Sequence, residues 1–251
     1  MGTRILLFVS LFGTLIFASC TSSRKIAYFE NAQDTTYFKQ VLGTIEAPFQ
    51  KNDILDVTIS SLDSKASADF NKTEAVNPTT KGYLVNNDGN IQLPMLGNVQ
   101  VAGLTKKQVK ENITNMILAK KLLVEPMVEI RHLNFDVTVL GEVAHPSVIN
   151  VPSEQISLIK ALSLAGDMTI YGKRENVLLV REEGGVRKTR YINLSSSDFL
   201  NSQYYYLKPN DLIYVEPSKA KVASSGWGMQ VLPLAITTVS FLFLVLDRVI
   251  K

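Results

Sequence analysis

Hydrophobic and polar positions divide the chain into two apolar ends and a patterned middle. The first segment, MGTRILLFVSLFGTLIFASC, sets one basic residue, Arg4, before a mostly apolar run from Ile5 to Ala18, with small residues ahead of Cys20. That is the plan of a secretion signal, and the run falls short of the roughly 20 residues a bilayer-spanning helix needs. The last segment, VLPLAITTVSFLFLVLDRVIK, carries no charge from Val231 to Leu246. From Trp227 to Ile250 a helix would extend about 36 Å, enough for a hydrocarbon core of about 30 Å. Residues 1–19 are therefore expected to be a signal peptide and 227–251 a transmembrane helix.

Between these ends the pattern changes several times. Residues 20–44 are polar and weakly periodic and predict a tether. FQKNDILDVTIS, 49–60, is a β-rich run introduced by Asn52 and Asp53. A polar stretch, 61–80, leads to three short β-like pieces in YLVNNDGNIQLPMLGNVQVAGLT, where Asp88–Gly89 predicts a type I′ hairpin turn. Thr105 then stands where a helix N-cap belongs, with Gln108 completing a capping box, and Val109, Ile113, Ile117 and Leu118 give a helical apolar face. PMVEIRHL returns to a strand, so 45–133 forms a small α/β unit.

A second unit, 134–217, starts with the alternating FDVTVLGEV and continues through SVINVP to a helix, SLIKALSLAG, capped by Ser157 and closed by Gly166. NVLLVRE, a Glu-Gly-Gly turn at 183–185, VRKTRYINL and NDLIYVEP follow as strands. Hairpin, helix and further strands make an α+β pattern compatible with a β-grasp, a sheet curled around one helix. Residues 218–226 predict a polar linker. Asn-Asp precedes a β run twice, in QKNDILDVTIS at 50–60 and KPNDLIYVEP at 208–217; shared turn chemistry explains the echo without duplication.

Composition narrows the function. Charged residues make up 20% of the chain, the net charge is +3 and the cations are scattered, so the footprint of a nucleic-acid binder is missing. Catalysis has little to stand on. His132 and His145 are the only histidines, without metal-ligand spacing, and Asp53, Asp56, Asp63 and Asp69 fit turns and a solvated face. No catalytic residue, metal site or cofactor is expected. Lys106, Lys107, Lys110, Lys120 and Lys121 read as the solvated side of their helix. Cys20 is the only cysteine and can form no disulfide within the chain.

FASC resembles the lipobox of bacterial lipoproteins, with Phe17 in place of the usual Leu. The resemblance implies acylation of Cys20, and TSSRK after it, free of acidic residues, fits delivery to the outer membrane. Each buried methylene of such a lipid is worth about 0.8 kcal/mol. PFQKNDILDVTIS and GYLVNNDGNIQLPMLGNVQVAGLTKKQVKENI resemble the characteristic domain of Wza-type outer-membrane polysaccharide export lipoproteins, with Asp53, Gly89, Pro94, Gly97 and Gly103 at its signature turns. VTVLGEVAHPSVINVPSEQISLIKALSLAGDMTIYGKRENVLLVRE is similar to the SLBB β-grasp module that follows it, except that Ser147 stands where Gly usually follows Pro. Larger relatives carry two such modules and this chain has room for one.

What the resemblance implies is a homo-oligomeric ring, an octamer in one version, that exports capsular or exopolysaccharide with an inner-membrane copolymerase or tyrosine kinase as partner. The C-terminal helix would then be one stave of a transmembrane wall. Gln230, Thr237, Thr238, Arg248 and Lys251 lean to one side of the helix, interrupted by Phe241 and Leu244, and the first four are the candidate pore-facing residues. Two alternatives stay open: a membrane-anchored periplasmic scaffold that binds glycan or a partner, with 227–251 a plain anchor, and, third in rank, a polysaccharide-modifying enzyme.

Overall fold

The computed structural model describes residues 27–32, 46–71, 82–224 and 227–249, which form a mixed α+β protein with two hydrophobic cores. Cys20, the signal peptide and most of the tether lie outside the described residues.

The first core is organised by β1, Ile54–Ser60, in which Leu55, Val57 and Ile59 point inward and alternate with exposed Asp56, Thr58 and Ser60. It pairs antiparallel with β2, Tyr83–Leu84, on one side and β5, Met127–His132, on the other. A short helix, α1, Ser64–Ala68, is capped by Asp63, whose carboxylate accepts from the amides of Lys65 and Ala66. The hairpin of β3, Asn90–Leu93, and β4, Gly97–Gln100, adds Ile91, Leu93 and Val99 to the core. Helix α2, Lys106–Ala119, closes it with Val109, Ile113 and Ile117, all fully buried, and opens on the capping box of Thr105 and Gln108. Leu118, expected on that face, is half exposed instead because it lies one residue, about 100°, beyond Ile117.

Two expectations change here. Every strand pairing in this unit is antiparallel, so it is not an α/β unit. The turn before β3 is not type I′: Gly89 has positive φ and Asp88 does not. Instead the Gly89 amide donates to Asn86 O and the Asn86 amide to Asn90 O, both at 2.9 Å. That is a three-residue loop ending on a left-handed glycine, and the Asn86 side chain braces it by accepting from the amides of Asp88 and Asn90.

The second unit contains one mixed sheet. Its strands are β6, Asp136–Gly141; β7, Ser147–Asn150; β8, Gly172–Glu183; β9, Val186–Ile192; and β10, Leu212–Pro217, in the spatial order β7-β6-β10-β8-β9. Two hairpins thus flank a last strand that inserts between them, parallel to β6 and antiparallel to β8. Helix α3, Leu158–Leu164, capped by Ser157, buries Leu158, Ala161 and Leu162 in the same core. Gly184 and Gly185 both have positive φ, so the β8–β9 loop is a two-residue primed turn. Gly141 is fixed by close approach: a Cβ there would meet the Val215 carbonyl oxygen at 2.1 Å.

The sequence echo proves to be one turn used twice. Asn52 and Asn210 are both left-handed, at φ 71° and 64°. Asp53 accepts from the Gln50 amide and Asp211 from the Lys208 amide, each at 2.8 Å. Both aspartates are buried, and each turn launches a strand into its core.

Residues 27–32 and the segment that follows β10 both contact the Asp167–Arg174 stretch of the second unit. In the tether, the Phe29 and Glu30 amides donate to the carbonyls of Leu194 and Ser195 at 3.2 and 2.8 Å. The Tyr28 hydroxyl donates to Asp167, and the Arg174 guanidinium lies 5.0 Å over its ring. Burial, then the bond to Asp167, hold the Tyr28 phenol above its ordinary pKa. On leaving β10, the Ser218 amide donates to Tyr171 O at 2.7 Å and Lys221 sits 5.1 Å over the Tyr171 ring. The expected polar linker is in fact helical over Lys219–Ser224, α4, where lysine and alanine favour a helix.

Helix α5, Trp227–Val249, follows, with Pro233 inside it. Leu234, Ile236, Val239, Phe241 and Leu242 are all more than half exposed, so none of the described residues of this helix joins either core. Among the described residues no helix is long and apolar enough to cross a membrane. The membrane crossing expected of 227–251 is therefore not established by the fold.

Candidate functional site: the cleft between the two units

Strand β5 ends at His132 and β6 begins at Asp136, so three residues join the two cores. The joint is held by polar contacts. Asn134 accepts from the Ile54 amide at 2.7 Å and donates to Asn52 O at 3.1 Å. Glu154, at φ 56°, takes the Lys106 ammonium on one oxygen and the His132 amide on the other, each at 2.7 Å. His132 is buried between Phe49 of the first unit and Phe135 of the second, with Nε2 3.3 Å from Asp53. Its expected place in a sheet is confirmed, and burial at the joint is new.

These contacts frame a cleft of about 560 Å³. The first unit contributes Glu46, Phe49 and Lys106; the wall from the second is built on β8, β9 and the segment before β10. In that wall the buried Arg181 forms a bidentate pair with Asp211, at 2.8 and 2.7 Å, and also donates to Tyr206 O. Lys208 and Lys188 both reach Glu183, at 2.7 and 2.9 Å. Their hydrogen bonds, Lys208 first, pull the Glu183 carboxyl down to a pKa of about 2.

A pH effect follows with a definite sign. Because the folded pKa lies below the ordinary 4.5, the stability Glu183 contributes is present above about pH 4.5 and is lost as pH falls toward 2. Solvent screens the cluster, so the gain is about 0.5–1 kcal/mol. Urea unfolding of wild type and Glu183→Gln should differ by that amount at pH 6 and converge near pH 2.

Elsewhere the predicted site residues are dispersed. Asp53, Gly89, Pro94, Gly97 and Gly103 serve turns of the first unit, as backbone geometry requires, and do not meet in one place; Gly97 and Gly103 have positive φ with open space around them. Asp56 is exposed on β1 and Asp63 caps α1. Among the described residues no group of histidine, cysteine or acidic side chains could hold a metal ion. In α5, Thr237 and Thr238 donate their hydroxyls to Leu234 O and Ala235 O, each at 2.9 Å, and Ser240 does the same to Ile236 O at 2.8 Å. Hydroxyls satisfied by their own helix need no water, so these residues suit lipid and water alike. Arg248 is exposed, and the Gln230 side chain lies outside the described residues.

The cleft residues Glu154, Arg190 and Tyr204 carried no sequence signal. Comparison with known families bears on its first wall: the polysaccharide biosynthesis/export protein profile matches residues 46–133. Over those residues the chain is similar to the polysaccharide biosynthesis/export family. The export domain so defined holds β1 to β5, α1 and α2, with every signature turn. Among curated proteins, the chain is similar to the EPS I polysaccharide export outer membrane protein EpsA of Ralstonia solanacearum, 28% identical over 154 residues. It is 29% identical over 154 residues to the same-named protein of Ralstonia nicotianae. The matches span 59% of this chain but 40% and 39% of those relatives. They therefore reach beyond the export domain while leaving more than half of each relative unmatched.

Proposed function

We propose that this chain is an outer-membrane polysaccharide export lipoprotein that oligomerises into a translocon for capsular or exopolysaccharide, without covalent chemistry of its own. The observation that carries this is the export-family match over the whole first unit. The outer-membrane assignment is taken from the names of the two relatives. In this account 1–19 is the signal peptide, Cys20 bears the lipid on a tether to 44, and 134–217 is an SLBB module. The sheet order, with the last strand between two hairpins and one helix alongside, is that of a β-grasp and supports the module.

Residues 227–251 would be the membrane helix. Support comes from the uncharged run Val231–Leu246 in the full sequence and from the length of α5, about 35 Å at 1.5 Å per residue. Its positions with undescribed side chains include Leu232, Phe243, Leu244 and Leu246. Exposed on all the described positions from Pro233 to Leu242, such a helix needs lipid or other copies around it. Gln230 and Arg248 fall within about 20° of Thr237 around the axis, which gives a ring of copies one polar line toward a lumen.

Orientation follows from the shared Asp167–Arg174 stretch. Ala27 is seven residues from Cys20, at most about 25 Å of chain. Tyr28 on Arg174 and Ser218 on Tyr171 bring residues 27–32 and the segment after β10 to the same stretch of the body, which supports lipid and helix at one end. The second unit therefore faces the membrane and the export domain points away, toward an inner-membrane copolymerase. Electron microscopy of the detergent-extracted full chain tests the conduit. A closed ring with α5 helices side by side in the detergent belt is expected; a monomer would favour the scaffold alternative.

A further inference from the structure

Within the cleft, cations and carboxylates are unequally matched. Its second-unit wall carries Arg181, Arg190, Lys188 and Lys208 against Glu154 and Glu183, with Asp211 buried behind Arg181, and Glu154 is taken by Lys106 and the His132 amide. Arg181 is spent on Asp211, and the two lysines share Glu183. Arg190 differs from all of these: among the described residues its guanidinium has no hydrogen-bond or ion-pair partner. It is exposed on β9, yet held, with its guanidinium carbon 5.6 Å over the ring of Tyr204. Arg181 lies 5.7 Å over the same ring, so Tyr204 meets both a buried guanidinium and a free one. A contact to a ring face fixes the plane of Arg190 while leaving its five N–H donors unspent. Such a fork matches a carboxylate.

The rest of the cleft fits a sugar that bears one. Tyr206, 37% exposed, offers a partly open ring, and Ser153, Gln155 and Gln203 offer hydroxyl and amide groups for hydroxyl partners. Glu46 lies on the opposite wall, where it accepts from the Lys107 amide, so the positive side faces only one unspent acid. A volume of about 560 Å³ is within the range of small-ligand sites.

We propose that this cleft binds a uronate-bearing segment of a polysaccharide, its carboxylate on Arg190 and its ring against Tyr206, with Tyr204 as the positioning residue for Arg190. The choice of a glycan rests on the export function proposed above. The site differs from the lumen of the conduit in being present in each single copy.

The test is calorimetric titration of the full chain in detergent with trigalacturonate and with its methyl ester, which keeps the sugar and removes the charge. The free acid is expected to bind at least about tenfold more tightly than the ester, and Arg190→Ala to lose about that factor. Arg190→Lys should recover part of it, Tyr204→Phe should match wild type, Tyr204→Ala should weaken binding, and Lys65→Ala, on α1 and outside the cleft lining, should change nothing. Equal binding of acid and ester, unchanged binding by Arg190→Ala in a folded protein, or no binding by wild type would overturn the proposal. Failure of the export function shows separately, as surface polysaccharide that persists in cells lacking the chain.

Discussion

Replacing Asp211 with alanine is expected to cost about 3–5 kcal/mol and to unfold the second unit first. Asp211 is completely buried and performs two tasks. One oxygen accepts from the Lys208 amide and so closes the turn that launches β10; together the two oxygens hold Arg181. Without the carboxylate, Arg181 is a charge with 8% of its side chain exposed and no anion. Strand β10 is central, paired to both β6 and β8, so its loss cannot stay local. For a chain of this size the cost corresponds to a fall in Tm of about 10 °C or more. The paired change Arg181→Met with Asp211→Leu should be far milder than Asp211→Ala, because it removes both charges together. A double-mutant cycle by urea denaturation measures the difference, and a cost under 1 kcal/mol for Asp211→Ala would contradict the role given to this turn.

Removing 227–251 should produce the largest functional loss, with surface polysaccharide falling to background while the remaining protein stays folded. The reason lies in packing. Among the described residues neither core draws on α5, and its apolar positions from Pro233 to Leu242 are exposed, so the cores keep their described contacts when the helix goes. If Cys20 is acylated, the truncated protein remains on the membrane, which separates attachment from passage. Fractionation checks the first and surface staining of the polysaccharide the second. A truncated protein that stays membrane-bound and exports normally would reduce the helix to a second anchor.

Legibility in the sequence followed the range of the interactions. The capping box of Thr105 and Gln108, the Ser157 cap and the Gly184–Gly185 turn are settled within four residues, and sequence alone predicts them correctly. The Asn86–Asn90 loop was half legible. Asp-Gly marks a turn, but its type is decided by the Asn86 side chain and by Asp88 keeping negative φ. The antiparallel sheet of the export domain was misjudged because β1 pairs with β5 across some seventy residues, and alternation says which face is inside but not which neighbour is beside it.

The cleft was illegible for the same reason. Lys106 looked like one of several solvating lysines until the fold brought Glu154 to it, 48 positions away. Arg190 in VRKTRYINL looked like edge-strand charge, and its distinction depends on Tyr204 from a separate segment. In contrast, the Asn-Asp echo was read as turn chemistry, and the matched dihedrals and aspartate bonds agree. The apolar end at 231–246 was legible as a helix.

Export itself is tested most directly by deleting the chain's coding sequence and measuring polysaccharide on the cell surface and inside the envelope. Loss from the surface with retention inside, reversed by the full chain and not by the form lacking 227–251, is the predicted result. Wild-type surface polysaccharide in the deletion strain would contradict the account.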